Sequence, residues 1–172
     1  MSTVSSSLIK ACLSLTQAIC RAESPDDIYN AALDALAQAL TVTRAAVLLF
    51  DPDGVMRFKA WRGLSGTYRT AVEGHSPWAP DTADAQPIVV GDVAKDRSLD
   101  GLRAVIDAEG IAALTFIPLL NAGRVIGKFM LYFETPRTLS DEEQQFAEVI
   151  AAQVAFALAR TRADLRRLHH SR

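Results

Sequence analysis

The sequence predicts an α+β fold organised around an antiparallel sheet, and three observations carry that prediction. The readable elements run helix, helix, strand, strand, irregular segment, strand, helix, strand, strand, helix, with no internal repeat and no sustained strand–helix–strand alternation. Residues 110–133, GIAALTFIPLLNAGRVIGKFMLYF, form two apolar runs around Asn121-Ala122-Gly123, as a hairpin covered on both faces would. Ser140-Asp141-Glu142-Glu143 is a capping box that opens one long helix. The length of 172 residues fits one domain. Such a chain buries roughly two thirds of its unfolded surface.

Composition narrows the class. A hydrophobic fraction of 49% with 22% charged residues is that of a soluble globular protein. The net charge of -2 implies no bulk attraction to nucleic acid or membrane. No apolar run reaches the ~18 residues of a membrane span. The start, MSTVSSSLIK, lacks a basic region before its apolar residues, so a cytoplasmic location is expected. Cys12 and Cys20 fall on one expected helix, about 12 Å apart along its axis at 1.5 Å per residue. They cannot pair with each other, and no His or Cys spacing completes a zinc site.

Val4 to Arg21 reads as a helix with Leu8, Cys12, Leu15 and Ile19 in one narrow stripe, which suits a partner helix. Ser24-Pro25-Asp26-Asp27 supplies an N-cap, a first-turn proline and acids at the positive helix end, so a second helix runs to about Leu40. Ala45 to Phe50 and Val55 to Arg62 are strands joined by the turn Asp51-Pro52-Asp53-Gly54. A short helix is expected at 67–72, an irregular loop at 73–86, a short strand at 87–90 and a helix at 99–108. Pro118 must sit near a strand end or bulge, because it cannot donate to a ladder. Beyond Arg160, Leu165 and Leu168 stand among Arg162, Arg166 and Arg167, which fits either a coiled-coil linker or a solvated helix end.

Gly110-Ile111, Pro118-Leu119, Gly123 and Val125-Ile126-Gly127 are preceded by Trp61-Arg62-Gly63-Leu64-Ser65, Ile88-Val89-Val90 and Asp92-Val93. In kind and order these motifs resemble those of GAF domains, the small-molecule sensor modules of bacterial signalling proteins. Gly74 to Trp78 and Gly127-Lys128-Phe129 are similar to GAF modules attached to PAS domains and histidine kinases. The resemblance covers about Asp26 to Ala159. It implies a central antiparallel β-sheet of about five or six strands. The N- and C-terminal helices would flank one face, with a short helix and irregular loops on the other. It further implies a signalling helix at 1–23, a sensory domain at 24–159 and a helix extension at 160–172 towards an output domain.

In that family the ligand lies between one sheet face and the irregular segment. The corresponding candidates here are Trp61, Tyr68, His75, Trp78, Asp92, Phe116 and Lys128. Aromatic walls with a few polar groups suit a small organic ligand. His75 could hold its loop through backbone bonds, contact a ligand or meet haem iron. Trp78 is either a hydrophobic plug or a stacking platform. Lys128, inside an apolar strand, must snorkel, pair with an acid or meet an anionic ligand. Asp92 is expected to cap the turn that follows it.

No phosphate-binding Gly loop, nucleophile elbow or zinc-helix motif is present, so no enzymatic activity is expected. The cysteines lie away from the positions that redox or bilin-attaching GAF domains use, and the Asn-Lys-Phe-Asp-Glu motif of cyclic-nucleotide members is missing. The expectation is a GAF sensor of a histidine kinase that binds an unidentified small molecule. It would signal as a homodimer through its N- and C-terminal helices, without metal, haem or bilin and without nucleic-acid or membrane partners. The alternative is a ligand-free structural dimerisation module.

Overall fold

The computed structural model describes residues 3–170, with side chains described for 6–162. Leu165, Leu168, Arg166 and Arg167 therefore lie outside the described side chains. Helix α1 (Thr3–Arg21) and α2 (Pro25–Leu40) precede strands β1 (Arg44–Phe50) and β2 (Met56–Arg62). Helix α3 (Gly66–Val72), β3 (Ile88–Val90), two 3-10 turns (Val93–Lys95 and Arg97–Leu102) and α4 (Arg103–Ala108) follow. The chain closes with β4 (Ala113–Asn121), β5 (Arg124–Phe133) and α5 (Asp141–His170). No helix among the described residues is long and apolar enough to cross a membrane.

The five strands form one antiparallel sheet in the order β2-β1-β5-β4-β3. Its central hairpin turns through Ala122 (φ 51°) and Gly123 (φ 77°), both left-handed. Two successive positive φ values make a type I′ turn, whose twist matches that of paired strands. Pro118 lies beyond the reach of β3, which pairs only with Leu114 to Phe116, and next to the irregularity at Leu119/Leu120. The site that the sequence demanded for it is thus provided.

Side-chain alternation sends the sheet's two faces into two cores. Val47, Leu49, Ile117, Phe129 and Leu131 pack under α2 and α5. Leu48, Leu114, Met130 and Tyr132 face α3, α4 and the irregular segment. Two bulges reset this alternation. Lys59 is the extra residue between Ala60 and Phe58, and Ile126 between Gly127 and Val125. At Gly127, the residue after the second bulge, an added Cβ would come 2.6 Å from the Leu49 side chain, so the strands approach too closely for any side chain.

The helix ends follow the sequence signals. Ser24 Oγ accepts from Asp27 N, Pro25 occupies the first turn, and Thr41 closes α2 in the left-handed region. The capping box is reciprocal: Glu143 N donates to Ser140 Oγ at 3.1 Å, and Ser140 N donates to Glu143 Oε1 at 3.0 Å. The helix expected at 99–108 is shorter than its apolar pattern implies. Leu102 leaves helical dihedrals (φ -114°, ψ 1°), so 3-10 turns precede a brief α4. Gly101, one residue before this break, is a poor helix former.

The α1 stripe meets partner helices, as expected, and they are α2 and α5 of the same chain. Leu8 and Leu15 are buried, and Cys12 and Ile19 partly so, in the chain's own helix-side core. Among the described residues of α1 and α5, the large apolar side chains left exposed are Ile9, Leu13, Val149 and Phe156.

Candidate functional site

On the face of the sheet away from α5 lies a cavity of about 340 Å³. Its floor is the sheet, with Leu48, Leu114, Phe116, Lys128, Met130 and Tyr132. One wall is α3 through Tyr68 and Val72, and the opposite wall is the 3-10 segment and α4 through Leu99, Leu102 and Ile106. His75, Ser76 and Pro77 form the rim at the start of the irregular loop.

That loop is fastened at both ends. Gly74 N donates to Met56 O at 2.9 Å, and the Glu73 carboxylate accepts from Phe58 N at 3.3 Å. At its far end Asp81 N donates to Val125 O, Val125 N to Thr82 O, and Asp84 N to Gly123 O. The segment therefore bridges from β2, at one edge of the sheet, to the β4–β5 turn. Asp81 and Asp84 both adopt positive φ, as Asp tolerates in such turns. Ser76 Oγ accepts from Trp78 N and donates to Trp78 O, which pins the loop backbone at Trp78. The indole meets Phe116 edge-to-face at 6.5 Å.

Lys128 stands at the sheet centre, between Leu48 on β1 and Pro118 on β4, and is 4% exposed. Its Nζ donates to the His75 carbonyl oxygen at 3.1 Å and lies 5.1 Å from the centre of the Phe116 ring. No carboxylate among the described residues comes within ion-pair distance of it. Burial pulls its pKa down from 10.5 to about 8. Tyr68 and Tyr132 meet edge-to-face at 5.7 Å, and burial pushes both hydroxyl pKa values up. Asp96 also borders the cavity, but its carboxylate accepts from Ser98 N at 2.9 Å and from the Ser98 hydroxyl. Arg103 donates to the backbone oxygens of Val93 and Asp96, which stitches the 3-10 wall together.

Of the seven residues singled out in the sequence, Tyr68, His75, Phe116 and Lys128 border this cavity. Trp78 backs onto Phe116 and is half-buried. Trp61 lies elsewhere: it is 41% exposed on edge strand β2, with the Arg69 guanidinium 3.8 Å from its ring centre. Asp92 caps the first 3-10 turn by accepting from Ala94 N, as expected, and faces an outer cleft beside Pro136 and Thr138. Ser76, Asp96, Met130 and Tyr132 border the cavity without having been singled out. Met130 and Tyr132 carried a usable signal, since residues two and four beyond Lys128 share its face of the strand. Among the described residues, no group of three His, Cys, Asp or Glu is placed to hold a metal ion.

An antiparallel sheet with a helix layer behind it and a loop-bridged cavity in front defines a sensory-module architecture. The chain belongs to the GAF domain family, whose model matches residues 22–159. It is 44% identical to the crystal structure of a domain attributed to a two-component sensor histidine kinase protein from Sinorhizobium meliloti 1021. The match covers 85% of this chain and 98% of that one, with a TM-score of 0.78. The fold also matches the GAF domain of a phosphoenolpyruvate-protein phosphotransferase from Coxiella burnetii. That match has 17% identity, covers 95% and 98% of the two chains, and has a TM-score of 0.73. A GAF domain attributed to a sensor histidine kinase from Pseudomonas syringae pv. tomato matches at 14% identity, covers 97% and 94%, and has a TM-score of 0.70. No significant match was found among curated proteins.

Proposed function

We propose that this GAF sensor domain serves a bacterial signalling protein, a sensor histidine kinase, by binding a small molecule in the cavity bridged by residues 73–86. It works as a non-enzymatic module in the cytoplasm. The observation that carries the proposal is the cavity itself: about 340 Å³, largely apolar, with one desolvated cation at its floor. That volume falls in the range of small-molecule sites, about 300–1,000 Å³. The S. meliloti relative supports the signalling context.

Coupling to an output follows from the sheet. Lys128 and Met130 face the cavity, while Phe129 and Leu131, their neighbours on β5, face the helix-side core. A ligand that prefers one arrangement of β5 shifts the population of the α5 position that fits it. The exposed residues Ile9, Leu13, Val149 and Phe156 favour a homodimer through α1 and α5. The same patch is compatible with a ligand-free dimerisation module, so the test must address the cavity.

Thermal-shift screening of small organic molecules against the wild type and Leu102→Trp, which fills the cavity from its wall, separates the two. Ligands that bind only the folded state raise its melting temperature. Under the sensor reading, stabilisers of the wild type have no effect on Leu102→Trp. If no compound stabilises the wild type, or if both respond alike, the ligand-free module is the better account.

A further inference from the structure

The ligand's chemistry is written in the one charge the cavity floor carries. Lys128 does not snorkel, because it is 4% exposed at mid-strand. Among the described residues it pairs with no acid: its Nζ has a backbone carbonyl and the face of Phe116 as partners. A buried cation so poorly compensated is costly unless something completes it. The other charged and titratable groups around it do not. The Asp96 carboxylate is held by Ser98 across the cavity, and that of Glu73 is turned to Phe58 N. The His75 residue is solvent-exposed and offers Lys128 its backbone, not its ring. The Tyr68 and Tyr132 hydroxyls, raised by burial, stay neutral through pH 9. Apart from the hydroxyls of Ser76 and Ser98, the remaining lining is apolar.

We infer that the ligand is an organic anion, a carboxylate on an apolar or aromatic body, whose anionic group displaces the His75 carbonyl from Lys128 while the body fills the space against Phe116, Met130 and Leu114. This rests on the reading of the cavity as a ligand site and names the class of ligand that the site takes. It also supplies a trigger, because the bond that the anion replaces is one that ties the irregular loop to β5. A bound carboxylate favours the charged amine, so affinity is full below pH 8 and falls as pH rises through that value. Between pH 7 and pH 9 the apparent Kd rises about tenfold.

The test is calorimetric titration of the wild-type protein and Lys128→Met with benzoate, 2-naphthoate and their neutral primary amides, at pH 7 and pH 9. The expected result is that a carboxylate binds the wild type at least tenfold more tightly than its amide, and weakens about tenfold at pH 9. In Lys128→Met the preference for the carboxylate disappears. Circular dichroism checks the variant's fold, and the wild-type acid–amide comparison stands without it. Amides that bind the wild type as well as the acids overturn the anion inference while leaving the cavity a ligand site. If neither acids nor amides bind, the inference is overturned. If the Leu102→Trp comparison also detects no ligand, the sensor reading falls with it.

Discussion

A residue kept for a ligand should cost the empty protein stability, and Lys128 lets that cost be worked out. Its folded pKa is about 8 against an ordinary 10.5. At 1.36 kcal/mol per unit, the charged amine opposes folding by about 3 kcal/mol at pH 7. Between pH 8 and pH 10.5 the unfolded chain binds more protons than the folded one, so stability rises with pH in that window. The penalty falls to about 1 kcal/mol by pH 9.5. Lys128→Met removes the charge and retains most of the volume, while the bond to the His75 carbonyl, worth about 1 kcal/mol, is lost. Met at this position should therefore stabilise the ligand-free protein at pH 7 by about 2 kcal/mol, and its stability should lose the wild type's rise towards pH 9.5. Urea unfolding of both proteins at the two pH values measures this. A Lys128→Met protein that is less stable than wild type at pH 7 would refute the reasoning, because Lys128 would then be a structural tie.

Three further predictions concern the scaffold. Ala122 holds a left-handed conformation in the type I′ turn, so Ala122→Asn should stabilise by about 1 kcal/mol in chemical denaturation. Gly127→Ala should destabilise by at least about 1–3 kcal/mol, since the new methyl would press on Leu48 and Leu49 of the neighbouring strand. Phe156 is 65% exposed, and Phe156→Glu should leave the circular dichroism unchanged while shifting sedimentation from dimer to monomer.

The legibility of the chain followed physical signals of unequal strength. The hairpin at 110–133 was readable because two apolar runs flank a turn containing glycine, and α2 and α5 because Ser24 and Ser140 offer side-chain oxygens to orphaned N–H groups. The cavity floor was hidden. Alternation reveals a face only when one face is polar, and β4 and β5 are buried on both. The bulges at Lys59 and Ile126 also shift the parity, so counting by twos fails across them. Lys128 could be found because a charge inside an apolar strand needs a reason. Trp61 drew attention for its size, yet it sits on an edge strand, where its indole covers Arg69 instead of the cavity. Tyr132 was passed over because a tyrosine in a β-rich run is unremarkable until Lys128 fixes the face it shares.

The central claim is that the space above Lys128 receives a small molecule. Native mass spectrometry after incubation with a bacterial small-metabolite extract tests it most directly, with wild type and Leu102→Trp side by side. The account predicts a non-covalent mass added to the wild type, lost on denaturation and absent from the filled variant. No added mass on the wild type, or the same mass on both proteins, would contradict it.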